Sequence, residues 1–101
     1  MRIFIFFDLP TKTNLEKKFY REFRKTLLQN GFFQLQYSIY VRYCYSMDET
    51  EKYTKRLHGC LPPEGEIRLL ILSDLQFDRM HVLLGKKSKQ EFLLSEPLVI
   101  F

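Results

Sequence analysis

The chain opens on an unbroken apolar run, Ile3-Phe4-Ile5-Phe6-Phe7, closed by Asp8-Leu9-Pro10. β-Branched and aromatic residues without alternation predict a strand buried on both faces and central in its sheet. Pro10, which has no N–H to donate, ends it. Thr13-Asn14-Leu15-Glu16 has the form of a capping box, with Thr at the cap and Glu three residues on. Leu15, Phe19, Phe23 and Leu27 follow at four-residue spacing with Leu28 beside them, predicting a helix with this apolar stripe, stopped by Asn30-Gly31. From Phe33 the period drops to two: Phe33, Leu35, Tyr37, Ile39 and Val41 alternate with Gln34, Gln36, Ser38 and Tyr40. Phe32 to Tyr45 is long for one strand, so a break is expected near Tyr37-Ser38. Asp48-Glu49-Thr50-Glu51 reads as the cap of a second helix running through Tyr53 and Leu57 to His58-Gly59. Pro62-Pro63-Glu64-Gly65 reads as a turn, and Glu66 to Ser73 as another strand.

The order β-α-β-β-α-β predicts an α+β, ferredoxin-like fold in a single domain over residues 1–101. Beyond it, Phe77 to Leu84 reads as a further strand, followed by a basic loop, Gly85-Lys86-Lys87-Ser88-Lys89, and an apolar tail ending Pro97-Leu98-Val99-Ile100-Phe101. Left unpaired, such a tail would invite aggregation, so it must dock on its own sheet or on that of a partner. Residues 77–101 are therefore expected to form a C-terminal strand extension.

Composition sharpens this. A domain of this size buries roughly 60–65% of its unfolded surface, yet 46% of the residues are hydrophobic, with ten Phe and six Tyr. Either some aromatics form a working surface or a second copy covers them. The net charge is +4, and the basic residues are localised. Lys12, Lys17, Lys18, Arg21, Arg24 and Lys25 face only Glu16 and Glu22 in the first helix region, and Arg79, Lys86, Lys87 and Lys89 have no acid among them. That distribution is the footprint of phosphate binding; solvated helix and loop faces are the other reading of it. Cys44 and Cys60 have neither CxxC spacing nor a matching His pair, which excludes a zinc motif and leaves two idle thiols without a disulfide. The first apolar run is too short for a signal peptide or a membrane span, consistent with a cytoplasmic protein.

The strand end Phe7-Asp8-Leu9-Pro10, the basic first helix, Asn30-Gly31-Phe32 leading into Gln36-Tyr37-Ser38-Ile39-Tyr40, and the hydrophobic C-terminus together resemble the Cas2 family, the smaller of the two CRISPR adaptation proteins. The resemblance covers essentially the whole chain. Gln76-Phe77-Asp78-Arg79-Met80 and the tail Ser95 to Phe101 look most like versions from type II systems. The family often has Tyr where this chain has Phe7. The resemblance implies a homodimer in which each C-terminal strand extends the partner's sheet. It also implies a place between two dimers of the adaptation integrase, where double-stranded DNA is held for insertion as a new spacer. It further implies metal-dependent nuclease activity in some members, on RNA or double-stranded DNA, with Asp8 as the metal-binding and catalytic residue and Mg²⁺ or another divalent ion as cofactor. In the integration complex itself, the family's part is structural.

Physical chemistry qualifies the role of Asp8. A lone Asp at a strand end is commonly a turn or cap residue, and Mg²⁺ wants six oxygen ligands. Two copies across a dimer axis would supply two carboxylates, which at about 4 Å and an effective dielectric near 20 repel by roughly 4 kcal/mol. A cation between them or a shared proton would relieve this, but no general base lies nearby in sequence. Asp74, Asp78, His58 and His81 read as loop or surface residues. The phosphate-contact candidates are Lys12, Lys17, Lys18, Arg21, Arg24 and Lys25, with Arg42 and Arg79. Two competing readings use the same element order: an RNA-recognition module stacking bases on Phe4, Phe6, Tyr40 and Tyr43, and a toxin-like endoribonuclease.

Overall fold

A computed structural model describes residues 1–85. Strand β1 (Arg2–Asp8) leads to helix α1 (Asn14–Gln29), then the hairpin β2 (Phe33–Gln36) and β3 (Ile39–Tyr43), helix α2 (Met47–His58), strand β4 (Glu66–Leu72) and a short helix α3 (Asp74–Asp78). The sheet order is β2-β3-β1-β4, with every neighbouring pair antiparallel. This is the ferredoxin-like arrangement: each β-α-β crossover leaves a gap that a strand of the other one fills. The continuous apolar run of β1 is explained by its place. It is hydrogen-bonded on both sides, to β3 and β4, and Ile3, Phe4, Ile5 and Phe7 are all buried.

Side-chain alternation along β1 divides the interior in two. Ile3, Ile5 and Phe7 meet Phe23, Leu27, Tyr40 and Leu57 under the helices. Full burial of each such side chain is worth about 1.5–3 kcal/mol, so this layer carries most of the stability. On the opposite face Phe4 packs with Val41 and Phe77, flanked by Phe6, Phe33, Leu35, Ile39 and Leu72. The hairpin breaks at Tyr37-Ser38, where Ser38 takes a left-handed φ of 63°. The two-residue alternation of this region sorts its side chains between the two faces of the sheet. Phe33, Leu35, Ile39 and Val41 line the open face, whereas Tyr40 is fully buried beneath the helices.

The first helix is capped as expected. The Thr13 hydroxyl accepts from the Glu16 N–H, and the Glu16 carboxylate accepts from the Thr13 and Lys12 N–H groups. These bonds hold the Glu16 carboxyl below its ordinary pKa. The expected core stripe needs correction: Phe23 and Leu27 are buried but Leu15 is 59% exposed. A four-residue spacing overshoots the 3.6-residue turn by about 40° per step, so Leu15 lies well around the helix from Leu27. In α2 the cap is Ser46, whose hydroxyl accepts from the Glu49 N–H, placing Asp48 and Glu49 in the first turn. Of the two thiols, which are unpaired, Cys44 is buried, which raises its pKa, and Cys60 is exposed.

The strand expected over Phe77 to Leu84 is absent. Ser73 and Gln76 form a capping box, the short α3 follows, and Arg79 caps its end. α3 presses Phe77 onto Phe4, with ring centroids 5.8 Å apart. The remainder of the expected C-terminal extension, residues 86–101, lies outside the described residues.

Among the described residues Arg2 is the one fully buried cation, and α3 supplies an acidic partner for it. Arg2, 1% exposed, lies on the same face as Phe4, with its guanidinium 4.5 Å from the Tyr43 ring centroid and 4.9 Å from that of Phe77. Asp74, expected to be a loop residue, accepts from Arg2 Nη1 at 2.8 Å and from the Met1 amine at 2.6 Å. Removing one member of a buried ion pair typically costs about 3–5 kcal/mol. Asp74→Ala is expected to lower the unfolding free energy by about 3 kcal/mol in urea titrations, against under about 0.5 kcal/mol for the exposed Glu51→Ala.

Candidate nucleic-acid interface and the Asp8 corner

α1 presents its cations outward. At 3.6 residues per turn, Lys17, Lys18, Arg21, Arg24 and Lys25 fall within roughly 120° of arc, on the side away from Phe23 and Leu27, and all five are exposed. Lys12 is exposed just before the helix. From Lys17 to Lys25 the stripe runs about 12 Å at 1.5 Å per residue, against one phosphate per about 3.4 Å along a DNA strand. Arg24 is anchored, its Nε donating to the Tyr40 hydroxyl at 2.8 Å. Beside it, burial raises the pKa of Tyr20, and its hydrogen bond with Tyr37 raises it further. The hydroxyl-bearing side chains of α1 and the hairpin therefore meet beneath the basic stripe.

The structure separates the other two phosphate-contact candidates from this stripe. Arg42 stands over the Tyr53 ring at 3.8 Å, donates to the Tyr43 carbonyl and pairs with Glu49 at 3.5 Å. Arg79 is exposed but follows α3, whose Phe77 packs on the sheet face opposite α1. Nor do the four aromatics of the RNA-recognition reading make a stacking platform. Phe4 is buried with Phe77 over it, Tyr40 lies on the helix side and Tyr43 stacks against Arg2, leaving only Phe6 half-buried on the open face. His58 and His81 are exposed, as expected, and Asp78 is half-buried.

Asp8 is the exposed last residue of β1, and its partner in the β1–β4 register is Glu66. The two carboxylates share the open face with Phe6 and Arg68, which pair two residues along, and a shallow pocket there also includes Ser38 and Ile39. Like charges directly opposite across a ladder disfavour it, and Arg68 offers a countercharge on the same face. No local signal in the sequence ties Glu66 to Asp8, because the two are fifty-eight positions apart along the chain. Asp8 and Glu66 offer two carboxylates here, and a divalent ion would need its remaining oxygen ligands from water. No cluster of three or more His, Cys, Asp or Glu residues suited to a metal occurs among the described residues.

Gly65 lets this corner close. Its φ is +110°, and a Cβ there would sit 2.8 Å from the Asp8 carbonyl oxygen and 2.6 Å from Leu9 Cδ2. On the other side, the Phe7 N–H donates to the Ser38 carbonyl at 3.1 Å, so the end of β1 is held from both flanks.

The family model for "CRISPR associated protein Cas2" matches residues 1–80. This chain belongs to the Cas2 family. Its relatives include proteins named "CRISPR-associated endoribonuclease Cas2" from Ligilactobacillus salivarius, 48% identical with 99% of each chain covered, and from Parvibaculum lavamentivorans, 45% identical over the full length of both. A third, from Flavobacterium psychrophilum, is 43% identical over 98% of this chain and 86% of its own. A crystal structure of Streptococcus pyogenes Cas2 at pH 6.5 matches with a TM-score of 0.63 at 21% identity, covering 82% of this chain and 99% of that one. That likeness speaks for the Cas2 fold. No helix among the described residues is long and apolar enough to cross a membrane.

Gly65→Ala tests how tightly the corner is built. Forcing an L-residue into this conformation costs about 1–2 kcal/mol before the backbone clash is added. Thermal unfolding should shift down accordingly, and Gly59→Ala, where the nearest atom to a new Cβ is 3.5 Å away, should not reproduce the shift.

Proposed function

We propose that this Cas2 chain is a cytoplasmic CRISPR adaptation protein that holds duplex DNA against α1 and so scaffolds the adaptation integrase during spacer acquisition. The observation that carries this reading is the stripe of five exposed cations on one side of α1. These residues contribute little to the core, so their concentration on one surface is explained by an external polyanion. Backbone-phosphate contacts of this kind tolerate any sequence, which suits a protein that must accept unrelated DNA segments.

The resemblance and the open face of the sheet favour a homodimer. Leu70 is 48% exposed there, beside Phe6, Leu35 and Ile39, and Val82, Leu83 and Leu84 are exposed nearby. A second copy would cover this apolar surface and bring two Asp8–Glu66 corners into one particle.

A second reading is favoured by the relatives' name, endoribonuclease: Mg²⁺-dependent phosphodiester cleavage at Asp8, with RNA as a further ligand. Asp8 and Glu66 would hold the ion, which when bound would supply a polarised water and charge stabilisation. The chain's own part is to fix the two carboxylates on adjacent strands and to offer Arg68 beside them. Among the described residues no His lines the corner to take a proton, so slow turnover is expected.

Duplex affinity measured by fluorescence anisotropy should fall steeply with salt, and Lys17→Ala/Arg21→Ala should reduce the slope of log K against log salt by about 1.8, at about 0.9 per lost contact. A salt-independent affinity would overturn the scaffold reading. Asp8→Ala should leave duplex affinity within about twofold while abolishing any Mg²⁺-dependent cleavage; cleavage at the wild-type rate would remove Asp8 from the chemistry. For the homodimer, Leu70→Asp should halve the particle mass in light scattering, and a wild-type monomer would overturn that part.

A further inference from the structure

The acidic residues around α2 hide a basic site that only the folded chain assembles. Asp48 and Glu49 occupy the first turn of α2, and Lys55, Arg56 and His58 the last. Lys52 and Arg56, four residues apart, share one exposed side of the helix. Tyr53 turns towards β3, where three cations converge on its ring: the Arg42 guanidinium at 3.8 Å from the centroid, that of Arg56 at 5.0 Å and the Lys52 ammonium at 5.6 Å.

Asp48, Glu49 and Glu51 lie within a turn of Lys52, but they do not pair with the two exposed cations. Glu49 pairs with Arg42 at 3.5 Å, and neither Lys52 nor Arg56 has an ion pair among the described residues. Arg56 reaches the Asn30 carbonyl oxygen of the side chain at a long 3.4 Å. Among the described residues Arg42 Nε is shielded from solvent without a hydrogen-bond partner. The Tyr53 phenol senses the excess: its interaction with the Arg42 guanidinium, then the charges of Arg42, Lys52 and Arg56, lower its pKa against the opposing effect of burial. Cations gathered this closely repel one another and favour any anion that joins them.

We infer that Lys52 and Arg56, backed by Arg42 and Tyr53, form a second site for the phosphate backbone of a nucleic acid, distinct from the α1 stripe. The Tyr53 ring holds the guanidinium groups by cation–π contact, which leaves the exposed edge of Arg56 and the Lys52 ammonium facing solvent. Leu57 of α2 and Phe23 and Leu27 of α1 join the same core layer, so both helices lie on one side of the sheet. A duplex crossing that side can touch both. This inference rests on the reading of the chain as a duplex-binding protein and adds a second point of contact to it.

The test uses the full chain, a labelled DNA duplex and an RNA duplex of equal length, with anisotropy read across a salt series. Lys52→Ala/Arg56→Ala should weaken binding and lower the salt slope by about 1.8, and Lys52→Arg/Arg56→Lys should retain the wild-type slope. Because both residues are exposed, the variant should keep the wild-type far-ultraviolet circular dichroism. Loss on both duplexes, or on either one, supports a backbone-phosphate site and identifies its source. A wild-type slope in the α2 variant, with a reduced slope in Lys17→Ala/Arg21→Ala, overturns the second site and leaves the proposed function standing. No salt-dependent binding by the wild type overturns both. If the α2 variant loses affinity for polyglutamate but for neither duplex, the site takes an acidic polypeptide and the inference fails.

Discussion

Strand β1 must satisfy hydrogen bonds on both edges and apolar contacts on both faces, and the rest of the chain is arranged to meet those demands. β3 and β4 pair with its edges, α1 and α2 cover one face, and Phe77 of α3 closes part of the other. The strand's even positions put Arg2, Phe4, Phe6 and Asp8 on one face, so a buried cation and an exposed carboxylate lie at opposite ends of a single row. Their fates differ because their neighbours do. Arg2 is enclosed by Tyr43, Phe77 and Asp74, whereas Asp8 lies where the β1–β4 ladder ends against Glu66 and the Gly65 turn.

This division of labour accounts for where binding can occur. The helix layer does its structural work through Phe23, Leu27 and Leu57, facing inward, and its cations point away from that contact. Their charge is therefore presented to solvent without cost to the core. Arg24 is a partial exception, held by the Tyr40 hydroxyl, and Arg42 of β3 is likewise held by a tyrosine, the Tyr53 ring. Such anchoring restricts the motion of long side chains and reduces the entropy lost when a ligand orders them. On the open face the balance is reversed, with apolar side chains exposed and the carboxylate corner at its rim.

Local signals were read directly from the sequence where the physics is local. The continuous run of β1, the Thr13–Glu16 capping box, the break at Tyr37-Ser38 and the stop at Asn30-Gly31 each depend on residues within one turn of each other, and each stands where expected. Misreadings came where a local pattern had two outcomes. The four-residue spacing placed Leu15 in the core, although its cumulative rotation carries it to the surface. The apolar residues of Phe77 to Leu84 suggested a strand, but the Ser73–Gln76 box had already started α3.

The sequence by itself determined the order of elements, the central position of β1 and a basic outer side for α1, because periodicity and capping act over a few residues. Only the tertiary structure decided which charges meet. Asp74 reaches Arg2 across seventy-two positions, Glu66 faces Asp8 through strand register, and Arg42 joins Lys52 and Arg56 around Tyr53. Electrostatic energy depends on separation in space, and along the chain those groups are separated by loops and helices that carry no sign of the contact.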